Sequence, residues 1–477
     1  MDISQEPGGT DVLNSKLKSL FCPESVAVIG ASNSFDKLGY HVMKSLVEGK
    51  YKGRIFPVNP KAREIWDINC YPSLSAVMEP VDLAVIAVPA PFVPDTLHEC
   101  GKKNVKGVVL ITAGFREIED SKGEALQEEI GRIALQYELP VIGPNTFGYV
   151  NRTFGVNASF TPEFSRMNQG GIALVSQSGG FCHLCGFLGL KQRMGISKLM
   201  SLGNRLNVGF PELLKHLVEE DEATRVIALY IEGLDNPGEL LDTAKSVRGR
   251  KHIIAYKSGK SEKGDSASRF HTGSLAGDYQ IWKGALRQAG ILEVTSAEQM
   301  IDAAKALDVC APLKGPRIAV LSGQAGPGMI AADAVEKAGL KLARFSAKTQ
   351  ETINGLLPPI AIRSNPVDMG PAWYDAKSSL EILKAAVEDE NTDGVIFIAM
   401  FASANVGLAK AMAEYLKNVA PFKKPVAAVF TAPSGIWEEE IAELDGAKGI
   451  SVVPTPERAG AVMGDLLRAN LLCSVNA

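Results

Sequence analysis

One device, used three times, most constrains how this chain can fold: a short apolar run rich in β-branched residues, a glycine-rich turn, then a helical pattern. It occurs as VAVIGASNS (26–34), IALVSQSGG (172–180) and IAVLSGQAGPG (318–328). A buried strand that turns through glycine into a helix is the unit of a doubly wound sheet. Ligands of such sheets bind beyond the carboxyl ends of the strands, where helix N-termini favour anions. The three runs (Ser25–Gly30, Gly171–Ser176 and Arg317–Ser322) have companions at Arg54–Val58, Leu83–Val88, Gly107–Thr112, Pro140–Ile142, Lys198–Ser201, Val226–Ile231, His252–Lys257, Gly394–Met400, Val426–Phe430 and Ile450–Val453. Continuous apolar strands separated by helical patterns predict an α/β chain of parallel sheets covered on both faces.

The chain has 477 residues, enough for roughly three domains at about 150 residues each. The polar stretch Asn151 to Gly170 and the segment APLKGP (311–316) are the expected boundaries. They set three doubly wound domains at 15–150, 165–312 and 316–470. Lys+Arg 50 against Asp+Glu 54 gives a net charge of −4. That balance argues against nucleic acid or an anionic membrane as partner, since either calls for a basic footprint. The most apolar stretch, 394–409, is broken by Ser403, Asn405 and Gly407, so it reads as strand, loop and helix start, not a membrane span. MDISQEPGGT has neither a basic nor an apolar leader region, and seven cysteines without framework spacing suit a reducing compartment. A cytoplasmic protein is expected.

The first turn has Gly30 but no further glycine until Gly39, and the second strand ends in Asn59-Pro60-Lys61 with no acid for a ribose. A nicotinamide dinucleotide therefore fits poorly. A different phosphate-rich ligand, met by Lys61, competes with a turn that holds nothing. In the second turn, Ser176-Gln177-Ser178-Gly179-Gly180 offers two hydroxyls and two unencumbered N–H groups to a phosphoryl group. Simple helix capping by serine is the equal alternative. The third turn is read as phosphate-binding or as architecture only. Gly259-Lys260-Ser261 imitates the end of a Walker A loop, but Ile254 stands where that loop needs glycine. No triphosphate site of its own is expected. Cys182-His183-Leu184-Cys185 lies within an apolar helical pattern and reads as a buried face, so no metal site is expected.

Residues 258–278 (SGKSEKGDSASRFHTGSLAGD) form a long polar segment inside a compact domain, a kind that is usually functional or disordered. It carries His271. The other histidines fall within helical patterns (41, 98, 183, 216) or begin a strand (252). A neutral imidazole is a nucleophile toward phosphorus if a carboxylate fixes its tautomer. Glu232, at the end of Val226–Ile231, is placed for that at the same sheet edge as the second turn. The competing reading makes His271 an exposed loop residue and Glu232 a solvated strand end.

Taken in order, VIGAS (28–32), VNPK (58–61), VPAPF (88–92), ITAGF (111–115), GPNTFG (143–148), VSQSGG (175–180), SLGN (201–204), YIEG (230–233) and HTGSLAG (271–277) resemble the α subunits of NDP-forming acyl-CoA synthetases. Over the first two domains the chain is also similar to the succinyl-CoA synthetase α subunit. The resemblance implies a Rossmann-like CoA-binding domain followed by two flavodoxin-like ligase domains. It implies the reaction acyl-CoA + ADP + phosphate ⇌ acid + ATP + CoA, through an acyl phosphate and a phosphorylated His271 on a travelling loop. It assigns CoA to Gly30, Ala31, Ser32, Lys61, Pro89, Thr112 and Ala113. Phosphate goes to Ser176, Gln177, Ser178, Gly179, Gly180, Asn145, Gly203 and Asn204, and Glu232 steadies the histidine. Mg2+ with ADP or ATP belongs to an ATP-grasp β subunit in an α2β2 assembly. Three positions depart from the pattern: Phe270 where a small residue is usual, Asn207 where Asp is expected, and His183 where succinyl-CoA synthetases carry Tyr. They leave the acyl group open. The rival reading is a non-catalytic CoA-binding regulatory module, which would have no need to keep His271, Glu232 and the SQSGG turn together.

Overall fold

The computed structural model describes residues 16–118, 120–234, 236–260, 279–418, 422–445 and 447–474. His271 and the rest of 261–278, including Phe270, lie outside the described residues. The chain forms two compact units, one running to Ala297 and one from Glu298.

The first unit holds two large sheets. Strands β1 (Ser25–Ile29), β2 (Arg54–Val58), β5 (Leu83–Ile86), β6 (Gly107–Leu110) and β7 (Val141–Ile142) pair in parallel in the order β2-β1-β5-β6-β7. A small antiparallel hairpin, β3 (Glu64–Ile65) and β4 (Ile68–Asn69), follows β2. These strands are apolar at nearly every position because both faces are covered. Val26, Val28 and Val85 pack into one core and Ala27, Ala84 and Ile86 into another.

The second sheet comprises β8 (Gly148–Asn151), β9 (Val156–Ser159), β10 (Asn168–Ser176), β11 (Gly195–Ser201), β12 (Val226–Ile231), β13 (His252–Lys257) and β14 (Leu292–Glu293), in the order β14-β13-β12-β10-β11-β8-β9. From β10 to β14 neighbours are parallel, while the β8–β9 hairpin joins β11 antiparallel at the edge. The stretch from Asn151, expected as a polar boundary, is thus largely built structure. It is polar because its buried side chains satisfy one another. Asn157 Nδ2 donates to Thr161 O at 3.1 Å, Ser159 Oγ to Asn157 Oδ1 at 2.6 Å, and Asn151 Nδ2 to Phe21 O at 2.9 Å.

The second unit carries β15 (Arg317–Ser322), β16 (Lys341–Leu342), β17 (Val367–Asp368), β18 (Gly394–Met400), β19 (Val426–Thr431) and β20 (Ile450–Val453). They run parallel as β16-β15-β18-β19-β20, with β17 also beside β15. Helix Ala297–Val309 belongs to this unit in all but its first residue. It is tied there by Arg458 Nε to Asp302 at 2.5 Å, Lys305 to Asp445 at 2.8 Å and Gln299 Nε2 to Asp465 at 3.1 Å. The segment 311–316 therefore lies inside the second unit, and the contact boundary falls before it. Among the described residues no helix is long and apolar enough to cross a membrane.

Candidate active site

The glycine turns all follow interior strands at their carboxyl ends. After β1, Gly39 packs the next helix so tightly on the turn that a Cβ there would stand 1.9 Å from Gly30 O. Asn59 Nδ2 donates to Ala31 O at 2.9 Å and Lys61 N donates back to Asn59 Oδ1 at 2.9 Å. One amide thereby links the turns after β1 and β2 and leaves Lys61 exposed between them. Thr112 Oγ1 donates to Val88 O at 2.6 Å, tying the end of β6 to the segment that carries Pro89. Gly30, Ala31, Ser32, Lys61, Pro89 and Thr112 share this sheet edge, but they do not line the cavity described next.

That cavity, about 810 Å3, lies where the edges of the first two sheets meet. Of the residues singled out from sequence, it gathers Ala113, Asn145, Gln177, Ser178, Gly179, Gly180, Gly203, Asn204, Glu232 and His183. Ser176 is not on the wall; it is wholly buried and its hydroxyl donates to Ser178 O at 2.6 Å. Ser178 caps helix Gly179–Lys191 by accepting from Phe181 N at 3.3 Å. Both hydroxyls therefore shape the turn. The N–H groups of Gly179 and Gly180, in contrast, donate to nothing among the described residues. Added Cβ atoms there would meet only Ser201 Oγ at 3.7 Å and Ser178 Oγ at 3.8 Å, so packing does not demand glycine at either place. Ser201 Oγ is itself buried without a partner among the described residues. Gln177 Oε1 accepts from Glu232 N at 3.0 Å and Gly233 N at 3.2 Å, which holds Glu232 beside the turn. Lys257 Nζ donates to Glu232 O at 2.7 Å.

The second anchor is the meeting of Asn145 with Gly203. Asn145 has φ 59° and its N–H donates to Thr112 O at 2.9 Å. Gly203 has φ 56°, and a Cβ on it would stand 2.1 Å from Pro144 O. Only glycine allows that approach. Next to it, Asn204 Nδ2 donates to Glu117 Oε2 at 2.6 Å and Gln127 Oε1 at 2.9 Å, while Arg116 Nη2 donates to Asn204 O at 2.6 Å. Glu117 also accepts from Gly114 N at 2.5 Å and Phe115 N at 3.2 Å. Burial pushes the Glu117 carboxyl up, but these hydrogen bonds outweigh it and hold the group below the usual carboxylate range. Sequence reasoning missed Arg116 and Glu117, although they follow the ITAGF motif directly.

His183 forms a wall with Phe147 and Phe160. Its Nδ1 lies 2.9 Å from Gly179 O and its Nε2 2.7 Å from Thr161 Oγ1. A carbonyl only accepts, so Nδ1 carries the proton, and both nitrogens are engaged. Cys182 and Cys185 on the same helix are buried, which pushes both thiols up. Asn207, the other departure in this region, donates to Leu139 O at 2.8 Å and accepts from Val141 N at 2.9 Å. An aspartate could do only the second. In the third turn, a Cβ on Gly323 would stand 3.0 Å from the Trp373 ring, so an indole packs on that turn.

A CoA-binding-domain family model matches residues 24–152, and a succinyl-CoA-ligase-like flavodoxin-domain model matches 169–307. The two matches make this a chain with a CoA-binding domain followed by a succinyl-CoA-ligase-like flavodoxin domain. The chain is 38% identical to the α subunit of ADP-forming acetate–CoA ligase II of Pyrococcus furiosus, over 93% of this chain and 96% of that one. It belongs to the α subunits of the ADP-forming acetate–CoA ligases. It is 40% identical to ADP-forming acetate–CoA ligase I of Archaeoglobus fulgidus, over 80% of this chain but 54% of that longer one. A solved acetyl-coenzyme A synthetase 1 of Ca. Korarchaeum cryptofilum, in complex with phosphate and ADP, superposes with TM-score 0.86 at 32% identity, covering 96% of this chain and 97% of that one.

Proposed function

We propose that this α subunit converts acyl-CoA and phosphate to an acyl phosphate and CoA, and then passes the phosphoryl group through His271 to ADP on a partner. One observation carries the reading. A single cavity holds the N–H groups of Gly179 and Gly180, which have no acceptor among the described residues, the Glu232 carboxylate and Ala113 at the carboxyl end of the first sheet. Phosphate at the helix N-terminus gains about 0.3–1 kcal/mol from the dipole, up to ~2 when partly buried. Its oxygen attacks the thioester carbon, the C–S bond breaks, and the thiolate leaves as CoA. Neutral His271 then takes the phosphoryl group from the acyl phosphate and releases the carboxylate, with Glu232 steadying the ring.

CoA lies along Gly30, Ala31, Ser32, Lys61, Pro89, Thr112 and Ala113 in this reading. The turn after β1 and the exposed Lys61 suit its phosphates. ADP and Mg2+ are held by an ATP-grasp β subunit in an α2β2 complex in the cytoplasm. The relative named as an α subunit supports a partner, and the longer Archaeoglobus relative has room for one fused in the same chain. The chain works as three domains, 15–150, 165–312 and 316–470. Mixing the α subunit with its β subunit, acyl-CoA, ADP and phosphate should yield ATP, and omission of either subunit should abolish it. No ATP from the complete mixture, across short-chain and aryl acyl-CoA, would contradict the proposal.

A further inference from the structure

We infer that Arg116 binds the inorganic phosphate that attacks the thioester. The inference rests on the ligase reading above and adds a binding residue to it. The cavity is acidic: Glu117, Asp120, Glu124 and Glu232 line it, and Arg116 is the one Lys or Arg among its described lining residues. A phosphate dianion entering such a space meets repulsion that two backbone N–H groups do not offset alone. A cation on the wall offsets that repulsion, and Arg116 supplies one.

Its position is fixed by its neighbours. Glu117 locks the loop after β6 through Gly114 N, Phe115 N and the Asn204 amide, which turns Arg116 toward the cavity. One guanidinium N–H is spent on Asn204 O, and the side chain is otherwise exposed with no second side-chain partner among the described residues. A guanidinium offers five donors in a planar fork that matches phosphate. The residue it grips follows Gly203 and lines the same cavity as Gln177–Gly180. Arg116 therefore faces the ligand from the first-sheet side while the helix N-terminus faces it from the second.

The test is steady-state kinetics of the assembled αβ complex in the ATP-forming direction, varying phosphate, acyl-CoA and ADP separately. Arg116→Gln should raise KM for phosphate about 10–100-fold, as expected for losing a charge-assisted hydrogen-bonded pair, and leave the KM values for acyl-CoA and ADP in place. Arg116→Lys, which keeps the charge and loses the fork, should recover part of the loss. Inhibition by sulfate against phosphate should weaken in parallel in both variants. Glu117→Gln loosens the clasp that positions the guanidinium without removing the cation: its thermal midpoint should fall, and its KM for phosphate should rise by less than that of Arg116→Gln. An unchanged phosphate KM in Arg116→Gln overturns the inference, as does a rise confined to acyl-CoA, which would assign the guanidinium to the phosphates of CoA. If the wild-type complex makes no ATP, the ligase reading has failed; if it does and Arg116→Gln behaves as wild type, this inference alone has failed.

Discussion

Gly203 is where single-atom geometry has the largest consequence. At φ 56° and with Pro144 O at 2.1 Å from any added Cβ, Gly203→Ala must shift backbone. It should cost more than about 2 kcal/mol, measured by denaturant unfolding of the α subunit. His216 gives a pH test. Burial, and then the nearby Lys198 cation, push its imidazole down to about 4, and its Nδ1 is buried without a partner among the described residues. The unfolded ring titrates near 6.5. Between those values the unfolded chain holds a proton that the folded one does not, so stability falls as pH drops from about 6.5 toward 4, by roughly 3 kcal/mol in all. His216→Phe, which keeps a ring against Phe21, should flatten that slope in unfolding curves taken across the interval. Identical slopes would remove the imidazole as the cause. At this scale much of the wall was legible, because Gly179, Gly180, Gly203 and Glu232 sit in short motifs. Arg116 and Glu117 were not, because their roles depend on closure onto Asn204, a partner 87 residues beyond Glu117.

Among the elements, the internal repeat is real at atomic detail. Ser176 Oγ donates to Ser178 O at 2.6 Å, and Ser322 Oγ donates to Gln324 O at 2.6 Å in the corresponding turn. Gln177 N and Gly323 N each donate to the neighbouring strand at 3.1 Å. What differs is the surroundings: a cavity before Gly179, and, at the place of Gln177, Gly323 with the Trp373 indole packed against it. Gly179→Ala should therefore change stability by no more than about 1 kcal/mol while sharply raising KM for phosphate. Gly323→Ala should lower the unfolding midpoint and leave that KM alone. If the two variants exchange phenotypes, the third turn is the functional one. The buried parallel strands could be read from sequence because apolar runs mark them on both faces, and β2, β12, β13, β15, β18 and β20 have the limits expected. The hairpin β8–β9 escaped because its buried asparagines and serine, with Thr161 just after it, look like a solvated linker until their hydrogen bonds are seen.

For the whole molecule, the domain order and the ligase chemistry were legible from the ordered motifs, whereas the division at Ala297/Glu298 was not. Helix Ala297–Val309 carries Gln299, Asp302 and Lys305 for partners between Asp445 and Asp465, and no local pattern reveals that pairing. Breaking it should be felt in the second unit: Asp302→Ala leaves the Arg458 guanidinium without its carboxylate and should cost about 2–4 kcal/mol, read as a lowered unfolding midpoint. The central claim concerns a phosphoryl group carried on one imidazole between subunits. Its most direct measurement is labelling of the α subunit by radiolabelled ATP in the presence of the β subunit. Wild type should acquire an acid-labile, base-stable phosphate, and His271→Ala should acquire none and make no ATP. Full turnover by His271→Ala, or an equal label on it, would contradict the account.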